Sequence, residues 1–458
     1  MAQIQSGLDT TLATVDPTTK ALFVLPKGIT TVSYDHDDFT LDSFERVRVS
    51  EPNVAFEYLF ANGLLAGQWE GTAYGAGTVT QNTTAWTTEL NTTTATTTGY
   101  WAQTYAHVRY APGFSTIFRG TFNFNALATG LTMRYGMFTD QGTFPSVTGD
   151  GIYLEAVGST INIVVRSMVS GSGIETRIAQ TSWNMDPLNG TGKSVVNLNW
   201  TLTQHLVIEY QWLGVGTVRV GFETGGSGVV WAHQFNLVNA ISTAYTRTGT
   251  LPIRAECFST GALGVAGKLT LICCAVHHEG IIVNRGWRYF SGNSGTALKT
   301  IGLTAGSLYP LISIRAAITN DITKRTTFIP TKATIMVQTA ATTSVVMMWA
   351  LVAIPAPLTS ATFATATTSS NVAIDTAAAA ATAVTGTIIA SGILPNAIGL
   401  HTLDFLEQMD NSIRAGQNAA GTLTITGANV VCLAYGPLVT TSGVGAAVAA
   451  SISWKELS

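Results

Sequence analysis

The chain has 458 residues and a formal net charge of −3, and only 11% of its residues are charged, against roughly 25% in ordinary soluble domains. Such a length exceeds what one hydrophobic core usually fills, so two or more domains are expected. The near-neutral balance provides neither a basic footprint for nucleic acid nor an acidic tail, which excludes nucleic acid as the main partner.

Thr, Ala, Gly and Val stand where Lys and Glu would normally sit. Long exposed helices are therefore short of material, and the expected class is all-β. Residues 1–48 carry short apolar groups between Pro17, Pro26 and Gly28, too broken to build a core, and read as an extended N-terminal anchoring arm. The apolar side chains Ile4, Leu12, Val15, Pro17, Leu22 and Val24 are its candidate anchor points. Met1 to Asp16 lacks a basic stretch followed by an apolar run, so no Sec-type signal is expected and the chain is expected to be made in a cytoplasm. The acids Asp35, Asp37, Asp38, Asp42 and Glu45 offer oxygens to a hard cation but lack the glycine and terminal glutamate of an EF-hand loop. A solvated acidic loop, or one facing basic groups of a partner, is the reading of Asp35 to Asp42.

Residues 49–285 are rich in the period-two alternation of half-buried strands. Met133, Tyr135 and Met137 share one face, as do Leu206, Ile208, Tyr210 and Trp212, then Val218, Val220 and Phe222, then Val229, Trp231, His233 and Phe235. Glycine-rich turns such as Thr148-Gly149-Asp150-Gly151 and Gly225-Gly226-Ser227-Gly228 separate the runs. This punctuation predicts an antiparallel β-sandwich of jelly-roll type. Residues 286–305 read as a linker, and residues 306–458 as a second, smaller β-sandwich with strands at Leu308–Ala316, Ala333–Gln338, Thr343–Ile354, Gly421–Thr426, Asn429–Tyr435 and Ala447–Trp454. The apolar stretch Ser344 to Leu358 is too short for a membrane helix and is interrupted by Pro355 and Pro357, so no membrane insertion is expected. The alanine-rich Thr376 to Val384 reads as a loop.

Each pattern that might carry chemistry fails on spacing or context. Cys257, Cys273, Cys274 and Cys432 lack a disulfide framework and read as reduced thiols. In Cys273-Cys274-Ala275-Val276-His277-His278-Glu279, strand alternation puts Cys273, His277 and Glu279 on one face and Cys274 and His278 on the other, so no four-ligand metal set forms. Gly214-Val215-Gly216 is followed by another strand rather than a helix and reads as a hairpin turn. No nucleophile elbow is present, and the acids are too scattered to reveal a catalytic pair. The expectation is no catalytic residue, no cofactor, no metal and no enzymatic activity. Tyr100, Trp101, Tyr105 and Tyr110 are the aromatics offered for stacking on a sugar ring.

The opening Gln3-Ile4-Gln5-Ser6-Gly7 with Leu12 to Ala21, the stretch Phe44 to Pro52, Ser182-Trp183-Asn184-Met185-Asp186, Tyr210 to Gly216, Ile312-Ser313-Ile314-Arg315 and the closing Ser453-Trp454-Lys455-Glu456-Leu457 resemble a group of uncharacterised tailed-phage virion structural proteins. The resemblance runs along most of the chain but does not extend to the Ala/Thr tract Thr359 to Thr387. It implies a fibre or decoration subunit on a virion, fixed by its N-terminus to a capsid or tail protein and commonly trimeric. The alternative is a receptor- or carbohydrate-binding module of a tail fibre, with a host-surface glycan as partner. The small charge content suits surfaces buried between subunits, since obligate interfaces resemble a domain core cut in half.

Overall fold

The structure is a computed structural model that describes residues 3–5, 12–15, 22–23, 52–65, 68–140, 144–145, 148–225, 228–280, 286–293, 298–316, 327–341, 346–367, 370, 372–405, 413–414, 430–439 and 444–457. Two compact units emerge, residues 1–49 and residues 50–458. In the first, β1 (Gln3–Gln5), β2 (Leu12–Val15) and β3 (Leu22–Phe23) pair as a small antiparallel sheet. Of the candidate anchor residues, Ile4, Leu12, Val15 and Leu22 fall in these strands, while Pro17, Val24 and the acidic segment Asp35 to Asp42 lie outside the described residues.

The second unit is all-β and antiparallel, with two short 3-10 turns and no α-helix among the described residues. Its first sandwich begins with β4 (Pro52–Leu59), β5 (Trp69–Tyr74), β6 (Thr78–Asn82), β7 (Thr87–Asn91) and β8 (Gly99–Val108). Next come β9 (Thr116–Asn123), β10 (Leu131–Phe138), β11 (Gly151–Val157), β12 (Thr160–Ser167) and β13 (Ile174–Ala179). It ends with β14 (Gln204–Tyr210), β15 (Val218–Glu223), β16 (Val229–Phe235), β17 (Leu251–Ser259) and β18 (Lys268–Glu279). One sheet has the seven-stranded order β13-β12-β11-β10-β17-β8-β5, and the other runs β16-β15-β14-β9-β18-β7-β6 with β4 also paired to β18. The chain changes sheet at β4 to β5, β5 to β6, β7 to β8, β8 to β9, β9 to β10, β13 to β14, β16 to β17 and β17 to β18, which gives the sandwich its jelly-roll-like weave.

Inward positions follow the alternation of the sequence. Phe118 packs edge-on against Tyr135 at 5.3 Å, and Phe122 reaches Phe124 at 4.7 Å. Each such fully buried ring contributes about 1.5–3 kcal/mol by leaving water. Gly120 stands under this cluster because a Cβ there would lie 2.5 Å from the Tyr135 ring. The run Val229–Phe235 departs from strict alternation. A bulge where Val220 and Gly221 meet β16 resets the register, so Val230, Ala232 and Phe235 join the core while Trp231 stacks on Arg219.

The remaining strands are β19 (Gly286–Gly292), β20 (Lys299–Thr300), β21 (Tyr309–Ala316), β22 (Thr327–Thr339), β23 (Val346–Ala356) and β24 (Ala364–Thr365). They continue with β25 (Val372–Asp375), β26 (Thr385–Pro395), β27 (Gly399–Asp404), β28 (Ile413–Arg414), β29 (Val431–Pro437) and β30 (Ala447–Leu457). They form a second antiparallel sandwich from the paths β19-β30-β22-β27 and β24-β25-β21-β29-β23-β26. The 286–305 segment, expected as a linker, instead supplies β19 and β20, both paired to β30, and Ile301 of its core. Its aromatics explain the difference, because Tyr289 stacks on the buried Trp454 at 6.0 Å. Gly421–Thr426 lies outside the described residues, and Thr376–Val384 is non-strand as expected.

Candidate functional site

An antiparallel sheet usually wets one face. In the seven-stranded sheet, however, every residue of β10 and of β17 is buried. The face turned away from the core holds charged and aromatic side chains in cross-strand rows. One row runs Trp101, Glu256, Arg134, Glu155, Asn162, and the next runs Glu70, Gln103, Arg254, Gly136, Tyr153, Val164, Arg177. Gly151 leaves room for this layer, since a Cβ there would sit 2.0 Å from that of Phe138.

The polar atoms join into one chain. Gln103 donates Nε2 to Glu70 Oε1 at 3.0 Å and accepts from Arg254 Nη1 at 3.1 Å. Arg254 Nε reaches Glu256 Oε1 at 2.5 Å, and Arg134 bridges Glu256 at 3.1 Å to Glu155 at 2.9 Å. Arg177 then links Glu155 at 2.6 Å to Glu175 at 2.5 Å, and Arg166 holds Glu175 from the other side at 2.9 Å. Tyr153 donates its hydroxyl to Glu175 as well. Aromatic rings are interleaved with the guanidinium groups. Arg254 lies 4.3 Å from the Trp101 ring centre, Arg134 5.2 Å from that of Phe258 and Arg166 5.1 Å from that of Tyr153.

The electrostatics follow from burial and pairing. Burial alone would raise the Glu175 pKa, but Arg166, the Tyr153 hydroxyl, Arg134 and Arg177 overcome it and hold the group below the usual carboxylate range. Burial would likewise lower Arg134, yet Tyr153, Glu256 and Glu155 push it above the ordinary arginine value. Glu70 differs. Burial pushes it up to about 7, against the weaker pull of the Arg254 charge and the Gln103 hydrogen bond.

Glycosidic bond cleavage needs two carboxyl groups with separated pKa values, one able to donate a proton and one free to attack or to activate water. Here Glu155, Glu175 and Glu256 are each gripped by two guanidinium groups, so none is free to attack. Glu70 is a carboxyl that burial shifts toward holding a proton, and its hydrogen-bonded neighbour in the chain is an amide. The arrangement is chemically suited to locking seven strands together.

The residues singled out in the sequence are dispersed. Trp101 is buried in this layer, with no hydrogen-bond partner for its indole N–H among the described residues. Tyr110 is buried in the core, where it stacks on Tyr210 at 6.5 Å, and Tyr100 packs against the same core. The Tyr105 side chain is outside the described residues, and Tyr100, Trp101 and Tyr110 build no common sugar platform. On β18, Cys274, Val276 and His278 are buried while Cys273, Ala275, His277 and Glu279 are half-buried, which divides the sulfur and imidazole groups between faces. Among the described residues no three of His, Cys, Asp and Glu gather as metal ligands. Cys257, Cys273, Cys274 and Cys432 are free thiols. The ion-pair chain itself escaped the sequence reading, although its signal was present: Arg134, Glu155, Arg166, Arg254 and Glu256 are scarce charges placed at alternate positions within strands.

No protein-family model and no curated protein match the sequence. Among solved structures, the carbohydrate recognition domain of Emp47p is similar at 9% identity with a TM-score of 0.33, over 50% of this chain and 97% of that one. A Bacteroides ovatus mixed-linkage glucan GH16 protein gives 10% identity and a TM-score of 0.32, over 48% of this chain and 99% of that one. A carbohydrate esterase of the Shiga toxin-encoding bacteriophage phi24B gives 10% identity and a TM-score of 0.29, over 50% of this chain and 100% of that one. At such values no residue role is carried across.

Proposed function

We propose that this chain is a non-catalytic structural subunit of a bacteriophage virion, a fibre or decoration protein that works as a homo-oligomer and is fixed to the particle through its first 48 residues. The observation that carries this reading is the apolar surface of the second sandwich, where Trp287, Phe290, Ile393, Ile398 and Leu400 are between 66% and 79% exposed. Exposed apolar side chains on the strands that end a sheet path, as Trp287 and Phe290 are on β19 and Leu400 is on β27, mark an interaction surface. The virion setting rests on the sequence resemblance, with the low charge content in agreement. Native mass measurement of the full chain is expected to give an oligomer, and labelled antibody is expected to decorate intact particles. A monomer at micromolar concentration, or unlabelled particles, argues against the proposal.

A second reading, recognition of a host-surface glycan, is favoured by Trp86. This indole is 63% exposed at the tip between β6 and β7, on a backbone with φ of 56°. Asn82 Oδ1 holds the tip by accepting from the Thr84 and Ala85 amides at 3.1 and 2.9 Å. A non-glycine residue held at positive φ is sustained by its surroundings and often marks a contact point. Glycan-array binding that disappears in Trp86→Ala supports this reading, and an array without signal removes it.

A further inference from the structure

The path β19-β30-β22-β27 ends in two apolar edges of different composition. At one end, β19 pairs with β30 and, among the described residues, with no other strand. Its Trp287 and Phe290 are 77% and 79% exposed, and its only charge is Arg288. At the other end, β27 pairs with β22 and, among the described residues, with no other strand. Leu400 is 66% exposed there, Ile398 just before it is 72% exposed, and the only formal charge of the strand is Asp404. Sheet edges are normally blunted by proline, lysine, bulges or a covering segment. Neither strand carries a lysine, and neither has proline between its ends.

Pairing of β19 with β19 would leave the β27 edge uncovered, and pairing of β27 with β27 would leave β19 bare. One contact covers both only when the unlike edges meet. Charge leaves both edges lightly defended, because Arg288 is the single formal charge of β19 and Asp404 of β27 is paired within its own copy to Lys332 at 3.6 Å. The faces agree. The register puts Phe290 opposite Ser453, Ser453 opposite Lys332 and Lys332 opposite Asp404, so Phe290 and Asp404 share the outward face, as do Arg288 and Leu400.

We propose that β19 of one copy adds to β27 of the next, so that copies of the chain join head to tail through their second sandwiches. Such a heterologous contact closes into a ring when the rotation per copy divides the circle, as a trimer requires. The β26 edge, which follows the same side of the sandwich into β27 and exposes Ile388 and Ile393, widens the receiving surface. This inference rests on the oligomeric reading above and identifies its interface.

The test uses two full-length variants, Trp287→Lys with Phe290→Lys and Ile398→Lys with Leu400→Lys, followed by native mass spectrometry and checked for fold by circular dichroism. Each alone is expected to be monomeric, and an equimolar mixture is expected to form a one-to-one heterodimer, because one intact β19 and one intact β27 remain. Should a lysine pair disturb folding, Phe290→Ser and Leu400→Ser serve the same design. A β27 variant that keeps the wild-type assembly, or folded variants that stay monomeric when mixed, overturns the head-to-tail contact. A wild-type oligomer indifferent to both variants overturns this inference alone, whereas a monomeric wild type overturns the oligomeric reading with it.

Discussion

Glu70 and His278 show how two buried titratable groups pull stability in opposite directions over one pH range. Glu70 has a folded pKa of about 7, raised first by burial. Below the ordinary carboxylate value both folded and unfolded chains hold the proton, so the group is silent there. As pH rises toward 7 the unfolded chain ionises first, and stability falls. Glu70→Gln keeps an acceptor for Gln103 and removes the titration. It is expected to stabilise the protein by about 1–2 kcal/mol at pH 8, after allowing for partial solvent screening, and to be neutral at pH 4. Urea unfolding at the two pH values checks this, and a loss of stability at pH 8 refutes it. His278 is pushed down to about 4, first by burial and then by the Arg109 and His277 charges. Its contribution is complete above the ordinary histidine pKa and is lost as pH falls toward 4, on the order of 3 kcal/mol. His278→Leu should therefore flatten the acid side of the stability curve. An acid limb equally steep in the variant would assign the loss to other groups.

At the level of strands, the alternation in Met133–Met137 and in Leu206–Tyr210 was legible because hydrophobic period maps directly onto a buried face. What sequence alone concealed has specific causes. Period two is broken at Val229–Phe235 by a bulge, and a bulge depends on the partner strand rather than on the local residues. The strand at Gly286–Gly292 was hidden by its glycines and by its exposure, which removes the one-sided apolar pattern. The ion-pair chain was hidden because its members are 122 residues apart at Arg134 and Glu256, so only strand order brings them together. That chain makes a further expectation. Arg134 is buried and bonded to both Glu155 and Glu256, so Arg134→Met leaves Glu155 to Arg177 and Glu256 to Arg254, with one buried negative charge in excess, and should cost about 3–5 kcal/mol. Arg134→Met combined with Glu155→Gln should cost less than Arg134→Met alone, because Glu256 keeps Arg254 and Arg177 keeps Glu175. Denaturant unfolding of the single and double variants decides between this and simple loss of packing, in which case the double variant would be the weaker.

For the molecule as a whole, the decisive feature is that hydrophobic side chains divide into two main cores. The larger draws on residues between Tyr58 and Val276, and the other on residues between Ile301 and Trp454. Among the described residues, no strand from Pro52–Glu279 shares a sheet with a strand from Gly286–Leu457. Unfolding of one sandwich therefore breaks no backbone ladder in the other. Cooperative two-state melting is a property of single cores, and chains with several cores commonly depart from it. Calorimetry of the full chain is expected to show a van't Hoff enthalpy clearly below the calorimetric one, resolved as two transitions. If the second sandwich assembles through its edges, its transition should move to higher temperature with protein concentration while that of the first stays fixed, since mass action stabilises only the element that is buried on association. Concentration dependence of both transitions would mean that the first sandwich is also part of the contact. Dependence of neither would count against association through the exposed Trp287 and Phe290 of Gly286–Gly292.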